Sequence, residues 1–229
     1  MTSISIIFPE FEYFWAMISI TRKGLDGWDN ALVEGLKKEF EEKRCILLPQ
    51  LLEESLLQKI IGDIEQSSFY ENEHVSIEKK VFATDLSLPG KNLALHQVHF
   101  LLNNPRLFQL IGYITGCPPI KGFAGRIYRN MPGSDHHLDW HDDTQDKTRL
   151  VGLSMNLGRE KYTGGLFQIR KRDAEELLRE VACGHPGDTH IFAVSPHLQH
   201  RVTKTTGEHP RTAAAGWFVS EPPVPLFKK

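Results

Sequence analysis

The chain changes character after Cys117. From there short apolar runs alternate with turn residues: "GFAGRIYRN", "HHLDWHDD", "RLVGLSMNL", "GGLFQIRK", "HIFAVS", "QHRVTKT" and "RTAAAGWFVS". Runs this short, bounded by Gly, Pro and Asn, read as strands. Many short strands in series must pair into a sandwich or a barrel, because an open sheet would leave long unpaired edges. The expected fold class is therefore α+β, with a β-barrel core at 121–220. One charged stretch within it, "RDAEELLREV" (172–181), has helical spacing and is expected to interrupt the strands.

Residues 1–120 are expected to be mainly helical support. "WDNALVEGLKKEFEEK" (28–43) sets Leu32, Leu36 and Phe40 on one helical face, and "LLEESLLQKIIGDIEQ" (51–66) repeats the pattern more strongly. "CILLP" between them reads as a short buried strand. Residues 67–92 are polar and irregular. Two further helices follow at 93–104 and 105–116, with Asn103 or Asn104 as a cap and Pro105 in the first turn. No linker or internal repeat is visible, so 1–229 is read as one domain. The opening "MTSISIIFPEFEYFWAMISI" lacks a basic leader, and Pro9, Glu10 and Glu12 break its apolar run. It reads as a strand or arm packed on the domain or on a second subunit, a candidate homodimer contact. A net charge of −2 provides no field for nucleic acid or an anionic membrane. Cys45, Cys117 and Cys183 form neither a disulfide framework nor a CxxC pair, which suits buried thiols in a reducing cytoplasm.

The stretch "HHLDWHDDTQDKTR" (136–149) concentrates metal-ligand residue types. Strand alternation puts His141 with Asp143, and equally His137 with Asp139, on one face; parity alone does not choose between the pairs. A third ligand must come from downstream, where His185, His190, His197, His200 and His209 stand. His200 is favoured because it opens the β-branched "HRVTKT" after a turn containing Pro196. Two histidines and a carboxylate leave open positions on Fe(II), although Zn and Mn accept the same donors. Arg211 follows eleven residues after His200 and shares a strand face with Ala213, Ala215 and Trp217. A guanidinium turned into a barrel requires an anionic partner. A dicarboxylate would supply it, with the two alanines leaving room.

Four ordered blocks, "RIYRNMPGSDHHLDWHDD", "TRLVGLSMNLGREKYTGGLF", "HIFAVSPHLQHRV" and "PRTAAAGWF", cover about residues 123 to 219. In them the sequence resembles the 2-oxoglutarate/Fe(II)-dependent dioxygenases of the prolyl-4-hydroxylase-like branch. The resemblance implies a double-stranded β-helix, the jelly-roll or cupin-like barrel. It also selects His141 and Asp143, through the upstream Tyr128 and Gly133, and leaves His137 and Asp139 at the mouth. By the same resemblance His141, Asp143 and His200 are the iron ligands, Arg211 holds the distal carboxylate of 2-oxoglutarate, and Tyr128 approaches that co-substrate. Asn156 stands near a position where some relatives use Tyr for it. Ala213 departs from the Ser or Thr of many relatives. The implied activity couples oxidative decarboxylation of 2-oxoglutarate, using Fe(II) and O2 with ascorbate as an optional reductant, to hydroxylation of a C–H bond. A small metabolite or amino acid is the favoured substrate; a prolyl or other protein side chain is the alternative. A catalytically silent metal-binding sensor is a reading of a different class. His96 and His99, spaced i, i+3, are a candidate second metal pair. Arg149 is expected to pair structurally with Asp146, Gly164-Gly165 to form a turn or bulge, and Trp217 to be a candidate pocket wall.

Overall fold

The computed structural model describes residues 18–75, 81–182 and 184–222. Most of the N-terminal arm and Cys183 lie outside these residues. A small hairpin, β1 (Ser19–Thr21) and β2 (Gly24–Asp26), precedes helix α1 (Asn30–Lys43). Asp29 caps α1 by accepting from the Leu32 N–H, and the helix buries Val33, Leu36 and Phe40. Strand β3 (Cys45–Leu48) and helix α2 (Glu54–Glu65) follow; α2 buries Leu57, Ile60, Ile61 and Ile64. Helix α3 (Leu93–Leu102) is capped by Asn92, and α4 (Pro105–Thr115) by Asn104, with Pro105 in its first turn. The four helices share one apolar cluster with Phe123, Ile127, Leu153, Ile191 and Phe218 of the barrel. That burial, more than helix propensity, holds them on one side of the sheet.

The C-terminal strands are β6 (Gly122–Asn130), β7 (His137–His141), β8 (Arg149–Asn156), β9 (Thr163–Gly164), β10 (Phe167–Lys171), β11 (Leu177–Val181), β12 (Thr189–Ala193), β13 (Leu198–Val202), β14 (Thr205–Thr206) and β15 (Arg211–Val219), of which β9 and β14 pair as a separate small sheet. A hairpin from the N-terminal half joins them, β4 (Tyr70–Val75) paired with β5 (Val81–Ser87). The main sheet runs β11-β10-β13-β7-β5-β6-β15-β8-β12-β3, with β4 beside β5. Every pairing in it is antiparallel, and the sheet nearly closes on itself as a double-stranded β-helix. Among the described residues no helix is long and apolar enough to cross a membrane.

Two expectations are corrected. The stretch 172–181 is not helical: Leu177–Val181 forms β11, with Val181 opposite Phe167. Val181 there enters the barrel cluster of Phe167, Ile169, Phe192 and Val202, a burial that a solvated helix would not provide. Residues 67–92 are not irregular: most of their described part is the β4–β5 hairpin. Its polar composition disguised it, because one face borders the polar cavity described next.

Candidate metal centre

His141 closes β7, and the β7–β13 pairing sets it directly opposite His200. Asp143 lies two residues on, beyond the end of the strand, so simple alternation does not bring it to His141. Its backbone turns left-handed, φ 61°, a conformation that a non-glycine residue rarely adopts and that clusters at functional sites. The turn brings Asp143 Oδ1 to 3.5 Å from His141 Nε2 and Oδ2 to 3.1 Å from His200 Nε2. The two imidazole centroids are 4.2 Å apart. One donor atom from each of the three lies within 4.8 Å of the others, and no other such group of His, Cys, Asp or Glu occurs among the described residues. Two ligands about 2.1 Å from one ion and at right angles lie about 3 Å apart, so the donor set fits a single ion.

Further residues aim these donors. The Asp139 carbonyl lies 2.7 Å from His141 Nδ1; accepting a hydrogen bond from Nδ1–H leaves Nε2 as the ligand atom. The indole Nε1 of Trp217 donates to Asp143 Oδ2 at 2.8 Å, and Arg149 Nη1 reaches Oδ1 at 3.1 Å. The Arg149 guanidinium lies 3.6 Å from the centroid of the Trp217 ring, which locks the pair. Burial alone would raise the Asp143 carboxyl, but the His200 hydrogen bond, the charges of His200 and His141 and the Trp217 donor hold it well below the usual carboxylate range. Burial, then the neighbouring His200, lowers His141 to about 4. Both groups are thereby kept in the form that binds a metal.

The triad opens into a cavity of about 720 Å³ lined also by Phe167, Phe192, Tyr128 and Ser154. Behind that wall Arg211 is 2% exposed. Its guanidinium donates to Tyr128 Oη at 2.5 Å and Ser154 Oγ at 3.1 Å. Gly165, φ 58°, lies against it: a Cβ there would sit 2.6 Å from Arg211 Cδ. The Gly164-Gly165 turn thus has a role in the site that its sequence did not disclose. A buried cation bordered by two hydroxyls, above small Ala213 and Ala215, fits the distal carboxylate of a dicarboxylic acid.

The structure places other candidates differently. Asn156 was expected at the co-substrate, but its amide donates to the His185 carbonyl at 3.0 Å and accepts from Gly158 N at 2.9 Å. It fastens a loop, and Ser154, two residues earlier on the same face, takes the place beside Arg211. Ser154 was legible in principle from that alternation. Arg149 does approach Asp146, at 3.8 Å, but its tighter contact is to Asp143. His96 and His99 do not share a site: His96 Nε2 lies 3.2 Å from the Gly90 carbonyl and His99 Nε2 2.8 Å from that of Gly125. His137 and Asp139 stand at the rim, 3.9 Å apart, with Asp139 exposed.

A nearly closed jelly roll carrying two histidines and one carboxylate is the arrangement that non-haem Fe(II) oxygenases use. Residues 126–219 match the model of the 2OG-Fe(II) oxygenase superfamily. No curated protein matches the sequence. Among solved structures, an oxidoreductase of the 2OG-Fe(II) oxygenase family from Burkholderia pseudomallei is similar, with a TM-score of 0.64 and 14% identity over 83% of this chain and 92% of that one. A Pseudomonas putida prolyl-4-hydroxylase gives 0.60 and 16% over 82% and 99%. A Trichoplax adhaerens prolyl hydroxylase in complex with a hypoxia inducible factor peptide gives 0.62 and 14% over 82% and 89%. At these identities the likeness is one of fold.

Proposed function

We propose that the protein hydroxylates a C–H bond of a small molecule, an amino acid or a biosynthetic metabolite. The observation that carries this is the union, in one cavity of about 720 Å³, of the metal triad with a wall backed by buried Arg211. His141, Asp143 and His200 would hold Fe(II). Arg211, with Tyr128 and Ser154, would hold the far carboxylate of 2-oxoglutarate. When bound, the metal and co-substrate supply the oxidising chemistry by activating O2 as 2-oxoglutarate is decarboxylated to succinate and CO2. The protein supplies position and dryness. Trp217 and Arg149 each donate to one oxygen of Asp143, which fixes the orientation of the carboxylate. Phe167 and Phe192 pack on the His200 ring at 5.7 and 4.5 Å and keep water from that side. The cavity accommodates a compact substrate beside the co-substrate, which favours a metabolite. A succinate-release screen with Fe(II) and 2-oxoglutarate, run against metabolite and peptide panels, tests the reading. Turnover only with peptides would replace the small molecule by a protein side chain. Co-substrate binding without succinate from any compound would favour a sensor.

A further inference from the structure

One wall of the cavity is charged and contains neither the metal triad nor Arg211. It is built from His74 on β4, Asp85 on β5 and Arg126 on β6, all of which line the cavity. Asp85 is 2% exposed. Both its oxygens are occupied: Arg126 Nη1 lies 2.8 Å from Oδ1 and 2.7 Å from Oδ2, Ser87 Oγ donates to Oδ1 at 2.8 Å, and His74 Nε2 lies 3.1 Å from Oδ2. Arg126 Nη1 also donates to Ser87 Oγ at 2.9 Å. The bonds made by Arg126 all use a single nitrogen of the guanidinium. Among the described residues, Nε and Nη2 donate to no protein acceptor. The group lies 4.8 Å from the centroid of the Tyr128 ring, while Arg211 lies 5.3 Å from the same ring. The two cations flank one tyrosine at different depths: the Arg126 side chain is 31% exposed, whereas Arg211 is buried. Arg149 and Arg172, the other guanidinia of the cavity, are turned to Asp143 and Asp142. Glu73 lies on the same hairpin and lines the cavity, but it makes no ion pair with Arg126.

A guanidinium held at one nitrogen by a buried acid and stacked on an aromatic ring loses little freedom on binding, and its remaining edge matches a carboxylate. We propose that Arg126 anchors the substrate, and that the substrate carries a free carboxylate. Asp85, Ser87 and His74 hold the guanidinium in register rather than touch the substrate. This rests on the hydroxylase reading of the cavity. It adds a recognition group to that reading and excludes neutral molecules as the preferred substrates.

The test uses the full chain and two kinds of carboxylate. One panel pairs free amino, hydroxy and oxo acids with their methyl esters; the other pairs peptides containing Asp or Glu with their Asn or Gln counterparts. Succinate release with Fe(II) is read alongside 2-oxoglutarate affinity on the Mn(II)-loaded protein. Free acids should be preferred over their esters by at least about 10-fold in kcat/KM, the scale of a hydrogen bond to a charged group. Arg126→Gln should reduce that ratio to about one, with 2-oxoglutarate affinity within about threefold of the unmodified chain. Arg126→Lys should keep part of the preference, since it retains the charge without the fork. A preference confined to acidic peptides would assign the carboxylate to a protein side chain. Equal turnover of acids and esters by the unmodified chain, or no stimulation by any carboxylate compound, overturns the proposal even if the variants do not fold. So does an Arg126→Gln variant that retains the preference. Failure of the Mn(II)-loaded protein to bind 2-oxoglutarate would instead overturn the underlying reading, and this proposal with it.

Discussion

At the residue scale, the centre depends on three donors and the groups that aim them. His141→Ala, Asp143→Ala and His200→Ala should each abolish turnover and cut metal affinity, with circular dichroism unchanged; full activity in any one would mean that the triad is wrongly assigned. Trp217→Phe keeps an aromatic ring but deletes the donor to Asp143 Oδ2. It should weaken Mn(II) binding by about 10–100-fold, the usual effect of losing a group that orients a ligand, and unchanged affinity in calorimetry would deny the indole that role. His190 gives a pH signature. It is wholly buried, and burial, then the charges of Arg211 and His200, drives its proton off well below the ordinary value. An unfolded histidine takes up a proton near pH 6.5. The unfolded chain therefore binds more protons below that pH, so this contribution to stability is complete above about 6.5 and is lost as pH falls. His190→Phe preserves the stacking on Phe167 at 4.3 Å and should flatten the fall of Tm below pH 6.5; an unchanged slope would contradict it. The ligand types and Arg211 were legible in the sequence because their chemistry is written in side-chain identity. Asp143's left-handed turn and the Arg149–Trp217 clamp were not, since they depend on tertiary placement.

At the element scale, legibility followed apolar content. Helices α1 to α4 announced themselves by spacing, capping Asn104 and Pro105, and the barrel strands by short apolar runs. The β4–β5 hairpin was missed because its residues are polar where they border the cavity, and β11 because "RDAEELLREV" has helical local preference that pairing with β10 overrides. The turn at Gly164-Gly165 read as punctuation, yet it packs on Arg211. Gly165→Ala would force a side chain into a left-handed position and against Arg211 Cδ. Such crowding costs about 1–3 kcal/mol, so 2-oxoglutarate affinity should fall by about tenfold with metal affinity retained. An affinity equal to that of the unmodified chain would show that the guanidinium is not held there.

At the scale of the whole molecule, helices on one side stiffen a barrel whose interior carries the His141–Asp143–His200 triad, buried Arg211 and the Arg126 wall. As a metal ligand Asp143 would fill the coordination position that a halide would need, so products formed in excess chloride should be hydroxylated, and mass spectrometry showing a chlorinated major product would contradict Asp143 as a ligand. The central claim is that one cavity binds metal through the triad and 2-oxoglutarate through Arg211. The most direct measurement is an anaerobic titration of 2-oxoglutarate into the Fe(II)-loaded protein, followed by the visible charge-transfer band of a chelated 2-oxo acid. The band should saturate at about one equivalent, be absent in Asp143→Ala and His200→Ala, and reappear in Arg211→Ala only at concentrations at least about 30-fold higher. No band in the unmodified protein, or a band indifferent to all three substitutions, would contradict the assignment.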